Sequence, residues 1–566
     1  MKERILCSLK NISFVIIITL LGVACGDDKE ESIDVGNEGG NGTVTGTVAK
    51  VDVKKAGSLS SLIGDDVKFN ITDLTVTGNI NGDDIALIRE MAGADVNGDE
   101  TKGRLSKLNL KDANIVAGGN PYYINTGIFY SKRDVVGSYM FSNCDKLTSV
   151  MLPNSVVEIG SYVFNKIVDV DVDTDIHFTE KAEKENTTLT SIAIGNKTAI
   201  IGNYAFYACT GLTEINMPNS VSEIGDNVFW GCNNLVRIDL ASVSKMEINA
   251  FWGCDKLVEF VVSEDNPKYS SLEGVLFNKD KSILIIYPKA RPTSSYIVPN
   301  SVITVDDNAF NNVYLTSITI GDRVSQMNFS NVGKHLKEYI VTDNNANYLS
   351  LDGVLFNKDK TELIAYPIDK VSSNYTVPSS VTKISNTVTF SLNLSTLNLN
   401  NVTEIQESTI LGTYVKEFIV SATNPRYSTK DNVLFNKEQT SLIAYPMAAI
   451  KEYKPNGQGS SYIIPNGVTN ISAYAFYPVA NFLLPPYPDL EFYPLETLTI
   501  PVDVERIGLC ALYGVKNIHC KSETPPYLDY AQHYPLTNTQ NIYVPMNAVN
   551  AYKQEVGWRE ANIIGE

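Results

Sequence analysis

Histidine is almost missing from this chain. Four residues, His177, His335, His519 and His533, are scattered through 566 positions and share no repeat position, which is poor material for a histidine-based active site. No G-x-S-x-G, H-E-x-x-H or phosphate-cradling glycine loop occurs, so the usual sequence marks of a nucleophile, a zinc protease or a nucleotide site are missing. Basic charge is scarce beside acid: 46 Lys and Arg against 64 Asp and Glu give a net charge of −18 and a pI near 4.8. That balance argues against nucleic acid and against an anionic membrane surface as partners. No two cysteines stand at C-x-x-C spacing, and without that pair there is no ordinary zinc frame. The carboxylates fall on repeat positions that face solvent, so a paired-acid hydrolase cannot be argued from them. A non-enzymatic protein without a cofactor is expected.

What the chain does have is repetition. Apolar residues make up 43%, too many for wholesale disorder. Leu212-Thr-Glu-Ile215-Asn-Met217 is followed by Val221-Ser-Glu-Ile224-Gly225 and then Phe229-Trp-Gly-Cys232. The same pattern restarts at Leu235-Val-Arg-Ile238-Asp-Leu240 and ends at Phe251-Trp-Gly-Cys254. Phe206, Phe229 and Phe251 head equivalent turns 23 and 22 residues apart, and each is followed three positions on by Cys209, Cys232 or Cys254. A period in the twenties with L-x-x-I-x-L spacing predicts a leucine-rich solenoid. Strand geometry sends Ile215 and Met217 inward and Glu214 and Asn216 outward. One coil cannot cover its own apolar face, so coils stack. Each buried Phe is expected to contribute roughly 2–3 kcal/mol.

The first residues read as a targeting segment. Lys2, Arg4 and Lys10 precede the apolar run Phe14 to Leu21, which is short for a spanning helix. Leu21-Gly22-Val23-Ala24-Cys25 resembles a bacterial lipobox, in which Cys25 would become the lipidated mature N-terminus; ordinary cleavage beside an incidental cysteine is the plainer alternative. Asp27-Asp28-Lys29-Glu30-Glu31 resembles a surface-export signal of Gram-negative lipoproteins, or is a solvated spacer. Gly36, Gly39, Gly40, Gly42 and Gly46 predict a flexible tether. The implied location is the outer membrane, reached through the lipid anchor alone and exposed at the cell surface.

Further along, Ile71-x-x-Leu74-x-Val76 and Leu105-x-x-Leu108-x-Leu110 fit the repeat strand, and Asp83 to Met91 has helical apolar spacing. Asp95-Val-Asn97-Gly-Asp99 is read as a turn, because Glu100 occupies the glycine position of a calcium loop. Turns headed by Phe141, Phe164, Phe206, Phe229 and Phe251 mark plain coils, with an insertion at 166–188. From Glu259 a longer unit recurs at steps of 79 residues, through Glu338 and Glu417, with Asn266, Asn345 and Asn424 at one shared position. Each unit carries Val-Leu-Phe-Asn-Lys, a polar turn and Tyr-Pro at Tyr287, Tyr366 or Tyr445, which predicts a β-hairpin. At the end, Ile542 to Pro545 reads as a last strand and Ala548 to Trp558 as an amphipathic helix sealing the stack.

The expected partition is 1–24 signal peptide, 25–46 acidic and glycine-rich tether, 47–130 helix-containing N-terminal cap, 131–520 solenoid with three modules in 259–480, and 521–566 strand-helix cap. The fold class is an α/β-type repeat solenoid of ~23-residue leucine-rich repeats with β-hairpin elaborations.

The motif Val-x-x-Ile-Gly-x-x-Ala/Val-Phe-x-x-Cys-x-x-Leu-x-x-Ile, together with Gly274-Val-Leu-Phe-Asn-Lys279, resembles BspA-like leucine-rich repeat proteins over nearly all of residues 47–566. Repeats around Phe329 and Phe390 depart from the pattern. The resemblance implies an adhesin-like surface lipoprotein that binds host or bacterial proteins or glycans and does not catalyse. A monomer is expected.

Four constellations carry chemistry or its plainer alternative. Cys144, Cys209, Cys232 and Cys254 share one coil position and predict a ladder of reduced, packed thiols, with Cys510 and Cys520 apart. Asp169, Asp171, Asp173, Asp175 and Glu180 have the oxygen spacing of a calcium loop, but Thr174 stands where glycine is required; an acidic strand face fits equally. Tyr207, Trp230 and Trp252 should stack about one strand spacing apart, ~4.8 Å, as a sugar or protein platform or as half-buried packing. Glu214, Asn216, Arg237 and Asp239 should line the exposed sheet face, where solenoids bind, or simply be solvated.

Overall fold

The computed structural model describes residues 32–166, 185–329, 332–333, 335–386, 388, 390, 393–406, 415–447, 460–477, 495–529, 536 and 539–566. Residues 1–24, Cys25 and the acidic insertion with Asp169, Asp171, Asp173, Asp175 and Glu180 lie outside the described residues.

Each plain coil contributes two short strands. In Glu214–Asn216 only Ile215 is buried, as alternation requires. This strand pairs in parallel with Arg237–Asp239, which pairs with Glu259–Val261. Glu223–Ile224 belongs to a second parallel ladder, between Ile200–Ile201 and Lys245–Met246. A two-residue strand has no readable period, so the sequence foretells only the first ladder. Gly225 directly follows this second strand. A Cβ at that position would stand 2.3 Å from Asn203 Oδ1, so the close approach of the preceding coil requires glycine.

Phe141, Phe164, Phe206, Phe229 and Phe251 are buried and stack in order, with ring centres 5.6, 5.5, 5.6 and 5.7 Å apart. Beside them runs the thiol ladder. Cys144, Cys209, Cys232 and Cys254 are buried and free of disulfides. The Cys232 and Cys254 thiols donate to the carbonyls of Phe206 and Phe229 in the preceding coil, at 3.1 and 3.2 Å. Burial pushes the Cys232 thiol up to about 12, as expected when the charged form is removed from water.

The modules after Glu259 interrupt this stack. Tyr269–Leu272, Val275–Asn278 and Ile283–Ile286 form a three-stranded antiparallel meander with a register shift between Leu276 and Phe277. Sequence reading finds its last two strands as a hairpin; the first, Tyr-Ser-Ser-Leu, has too little apolar alternation to be seen. Tyr348–Leu351 to Glu362–Ala365 and Tyr427–Lys430 to Ser441–Ala444 repeat the arrangement. The middle strand is buried on both faces: Val354, Leu355 and Phe356 are each 0% exposed. Leu355 packs into the core before it, and Val354 and Phe356 into the core after it. Leu276 and Leu434 divide from their neighbours in the same way. The interior is therefore four apolar clusters separated by three strand walls, where the repeat pattern alone predicts one continuous filling.

A buried asparagine fixes each meander. Asn345 Nδ2 donates to the Gly321 and Val324 carbonyls at 2.7 and 3.0 Å, while its Oδ1 accepts from the amides of Asn347 and Tyr348 at 2.8 Å each. Asn266 and Asn424 make the equivalent set.

Both ends correct the sequence reading. The tether expected through residue 46 is instead a hairpin from its Ser32 onward, Ser32–Asn37 with Gly40–Thr45, continued by Val48–Val53. Its glycines answer to close packing rather than to flexibility, for a Cβ on Gly40 or Gly42 would lie 2.0 Å from Asp52 O or 2.2 Å from Lys50 O. The helix Gly82–Met91 forms as expected, capped by Asn81 and Asp84. Unforeseen is Arg89, 0% exposed, whose guanidinium donates to the carbonyls of Asp95, Tyr139 and Met140 and lies over the Tyr123 ring. At the other end the helix is shorter than expected, Val549–Gln554, and Asn541–Val544 is not the last strand. Ile563–Gly565 pairs beside it in parallel. Trp558 lies beyond the helix, buried against Tyr552 and donating to Pro526 O at 2.8 Å.

Candidate functional site

The sheet-face residues come together as expected. Parallel register sets Glu214 beside Arg237 beside Glu259, and Asn216 beside Asp239 beside Val261. Glu214, Asn216 and Arg237 are exposed and Asp239 is half-buried. Arg237 pairs with Glu259 at 3.1 Å; both side chains are about half exposed, so water screens the pair and it stabilises little. The row is a surface of alternating charge.

The aromatic ladder departs from parallel plates at strand spacing. Tyr207 and Trp230 are 5.9 Å apart and tilted by 53°, and Trp230 meets Trp252 at 5.7 Å and 76°. The residue two positions after each Phe adopts a left-handed conformation, at Ala208, Gly231 and Gly253. Trp230 and Trp252 remain 36% and 39% exposed, while Tyr207 is half-buried. The flat stack stands one position set earlier, at Tyr139, Tyr162 and Tyr204, with spacings of 5.1 and 4.7 Å and planes within 5°. These tyrosines have φ of 61°, 57° and 57°, a left-handed backbone that costs a non-glycine residue roughly 1–2 kcal/mol. Ring stacking offsets about 0.5–1.5 kcal/mol per pair. Tyr204 touches Tyr207 at 5.7 Å, joining both sets into one aromatic line from Tyr139 to Trp252.

A hollow of about 400 Å3 opens where the second ladder ends, lined by Asn203, Glu223, Asp226, Lys245, Glu247 and Asn249 among others. Its residues belong to the turns that carry the aromatics: Tyr204 N donates to Asp226 O, and Trp252 N donates to Asn249 O. Lys245 pairs with Glu223, and that carboxylate holds the Lys245 ammonium above its ordinary value. The Oδ1 of Asp226 is buried with no hydrogen-bond donor. Sequence reading missed this hollow, although Asn203 and Asp226 stand at one repeat position, three before the Phe, and could have been aligned. Among the described residues no group of three or more His, Cys, Asp or Glu is arranged to hold a metal ion. Nor is any helix among them long and apolar enough to cross a membrane.

Residues 121–180, 177–289 and 287–358 match the family described as BspA type leucine rich repeat region, in six copies. Among solved structures, a leucine rich cell surface protein from Faecalibacterium prausnitzii A2-165 is 16% identical, with 86% of this chain and 94% of that chain covered and a TM-score of 0.35. A leucine-rich repeat protein from Eubacterium ventriosum ATCC 27560 is also 16% identical, covering 79% and 94% at a TM-score of 0.37. The pneumococcal vaccine antigen PcpA is 15% identical, covering 94% and 98% at a TM-score of 0.27. No curated protein matches the chain.

Proposed function

We propose that this chain, whose residues 121–358 match the BspA type leucine rich repeat family, is a lipid-anchored protein of the outer cell surface that holds extracellular proteins by multivalent contact. Cys25 is the lipidated residue in this reading, and the units 47–130 and 521–566 close the two ends of the stack. The observation that carries it is the in-register row Glu214, Arg237 and Glu259 with Asn216 and Asp239, of which Glu214, Asn216 and Arg237 are exposed. Such a face is repeated from coil to coil and offers many weak contacts rather than one catalytic centre. Labelled palmitate incorporated by the wild type and not by Cys25→Ala is expected, and protease shaving of intact cells should release the solenoid. Capture by purified extracellular-matrix proteins should fall in Arg237→Glu. Turnover of a polysaccharide by the purified protein would overturn the non-catalytic reading.

A second reading is favoured by the exposed indoles. Trp230 and Trp252 present 36% and 39% of their surface, and aromatic faces take up the C–H faces of sugars. Glycan-array binding lost in Trp230→Ala and Trp252→Ala would establish it.

A further inference from the structure

We infer that the modules make the chain beyond Glu259 extensible in fixed steps: pulled along its length, it yields one 79-residue module at a time rather than one coil at a time. This is a conformational device of the fold, and it does not depend on which partner the surface holds.

Three features set the size of the yielding unit. The first is where main-chain pairing stops. Glu259–Val261, Glu338–Val341 and Glu417–Val420 are each the last strand of a three-stranded ladder. Lys245–Met246, Gln326–Met327 and Glu404–Ile405 each end the second ladder just before them. Among the described residues, both ladders therefore end together at every module boundary. Within a module the opposite holds: Ile283–Ile286 of the meander pairs with Thr304–Val305, and that strand with Gln326–Met327, so one sheet ties Tyr269 to Met327.

The second feature is what crosses a boundary. Between the units Tyr269–Val341 and Tyr348–Val420, Tyr339 N donates to Gly353 O at 2.8 Å and Asp369 N to Leu336 O at 2.9 Å. Side chains supply the other links: Asn345 Nδ2 donates to Gly321 O and Val324 O, Tyr348 Oη to Ser325 O at 3.0 Å, and Val341 N to Ser350 Oγ at 3.1 Å. The third is apolar filling. The earlier unit supplies its own cluster from Val275 to Tyr339, and the later one adds the buried Leu355 and Ala365 with the partly buried Tyr348 and Ile364. Leu434 and Ala444 with Tyr427 and Ile443 repeat this at the next boundary. In a stack stabilised by nearest-neighbour contacts, separation falls at the weakest interface, and the residues between two such interfaces leave as one unit. Each unit also carries its own wall, so the one that remains keeps most of its filling. Under the surface reading above, every step lengthens the link to a held partner before the next module is loaded.

Extension of the full chain in optical tweezers, with a handle at each end, tests this. Two equal steps of roughly 260–285 Å, the contour of 79 residues, should appear, one for the unit beginning at Tyr269 and one for that beginning at Tyr348. Steps of roughly 75–80 Å, the contour of a single coil, throughout the trace would overturn the inference. So would one unbroken release of the whole chain. Tyr348→Phe removes the hydroxyl bond to Ser325 O and keeps the ring, while Asn345→Ala removes the anchor of the same boundary. Each should lower the force of one of the two equal steps, Asn345→Ala by more, and leave both step lengths unchanged. Asn266→Ala should act on the other step. Equal weakening of both steps by Asn345→Ala, or of neither, would also overturn it. The wild-type step length is read whether or not a variant folds, and it needs neither lipid nor partner, so failure of the surface reading leaves it standing.

Discussion

Between Phe141 and Phe251 the interior is a column of rings 5.5–5.7 Å apart with thiols beside it. Between Val275 and Ala444 the interior is cut three times, each time by a strand buried on both faces. The first arrangement shares one apolar cluster from Val44 to Leu276. In the second, each module brings a Leu-facing wall on one side and a Val-and-Phe-facing wall on the other. Such a unit is complementary to a copy of itself, which accounts for duplication at a fixed 79-residue step. Plain coils need only a neighbour of the same kind, while a module needs its whole meander, held by one asparagine.

The comparison breaks most clearly in the ring column. Phe229→Ala should cost about 3–5 kcal/mol, because the stacked neighbours Phe206 and Phe251 cannot close the gap. Hydrogen exchange should rise along the whole cluster from Val44 to Leu276. Phe356→Ala should cost a similar amount, yet raise exchange only in the cluster that ends at Ala444. Loss of protection throughout the chain in Phe356→Ala would remove the distinction.

The second prediction concerns the module anchor. Asn345→Ala should lower stability by about 2–4 kcal/mol, since two buried carbonyls and two amides lose their partner. Replacement by Asp should be no better, because a carboxylate cannot donate to Gly321 O and Val324 O. Chemical denaturation of both variants measures this, and a loss below that of an ordinary surface change would remove Asn345 from the account.

Alkali should separate the regions more gently. The Cys232 thiol rises from 9.0 to about 12 on burial. Below pH 9 the thiol is neutral folded or unfolded and its contribution is complete; between 9 and 12 only the unfolded thiol ionises, so stability falls as pH rises. No cysteine lies between Cys254 and Cys510, so the modules take no part in this loss, which the plain coils share with the buried Cys520 near the C-terminal end. Module phenols such as Tyr366, raised from 10.0 to about 12, begin to act one unit later. Melting across this range should show the earlier onset shrink when Cys209, Cys232 and Cys254 become Ala, and disappear when Cys144 and Cys520 are replaced as well.

The smallest effect is expected at the surface. Trp252→Ala, at a side chain 39% exposed, should change stability by about 1 kcal/mol or less while altering binding. A much larger thermal shift would return the indole to the packing role.

The repeat step, the inward residues of each strand, the Phe column and the buried thiols were legible in the sequence, because each follows from a local period that one coil repeats to the next. The sheet-face row was legible for the same reason: alternation decides which side chain of Glu214–Asn216 turns out. Less was legible where a residue answers to something distant in the chain. Gly40 and Gly42 look like linker glycines until Lys50 and Asp52 are packed against them. Arg89 gives no periodic sign of burial, since its partners lie at Tyr139 and Met140; Trp558 is buried as its helical spacing suggests, but beyond the helix end and held by Pro526. The hollow at Asp226 needs three coils to exist.

Amino-acid order alone therefore determined that the chain stacks in equal coils, because the burial of one Phe and one Leu per turn is written at a fixed interval. Tertiary structure decided where the stack is divided, how the aromatic line tilts and which carboxylates gather beside it. Those depend on contacts made between coils and on strands that face two cores at once, and such contacts are not written in the residues of any one coil.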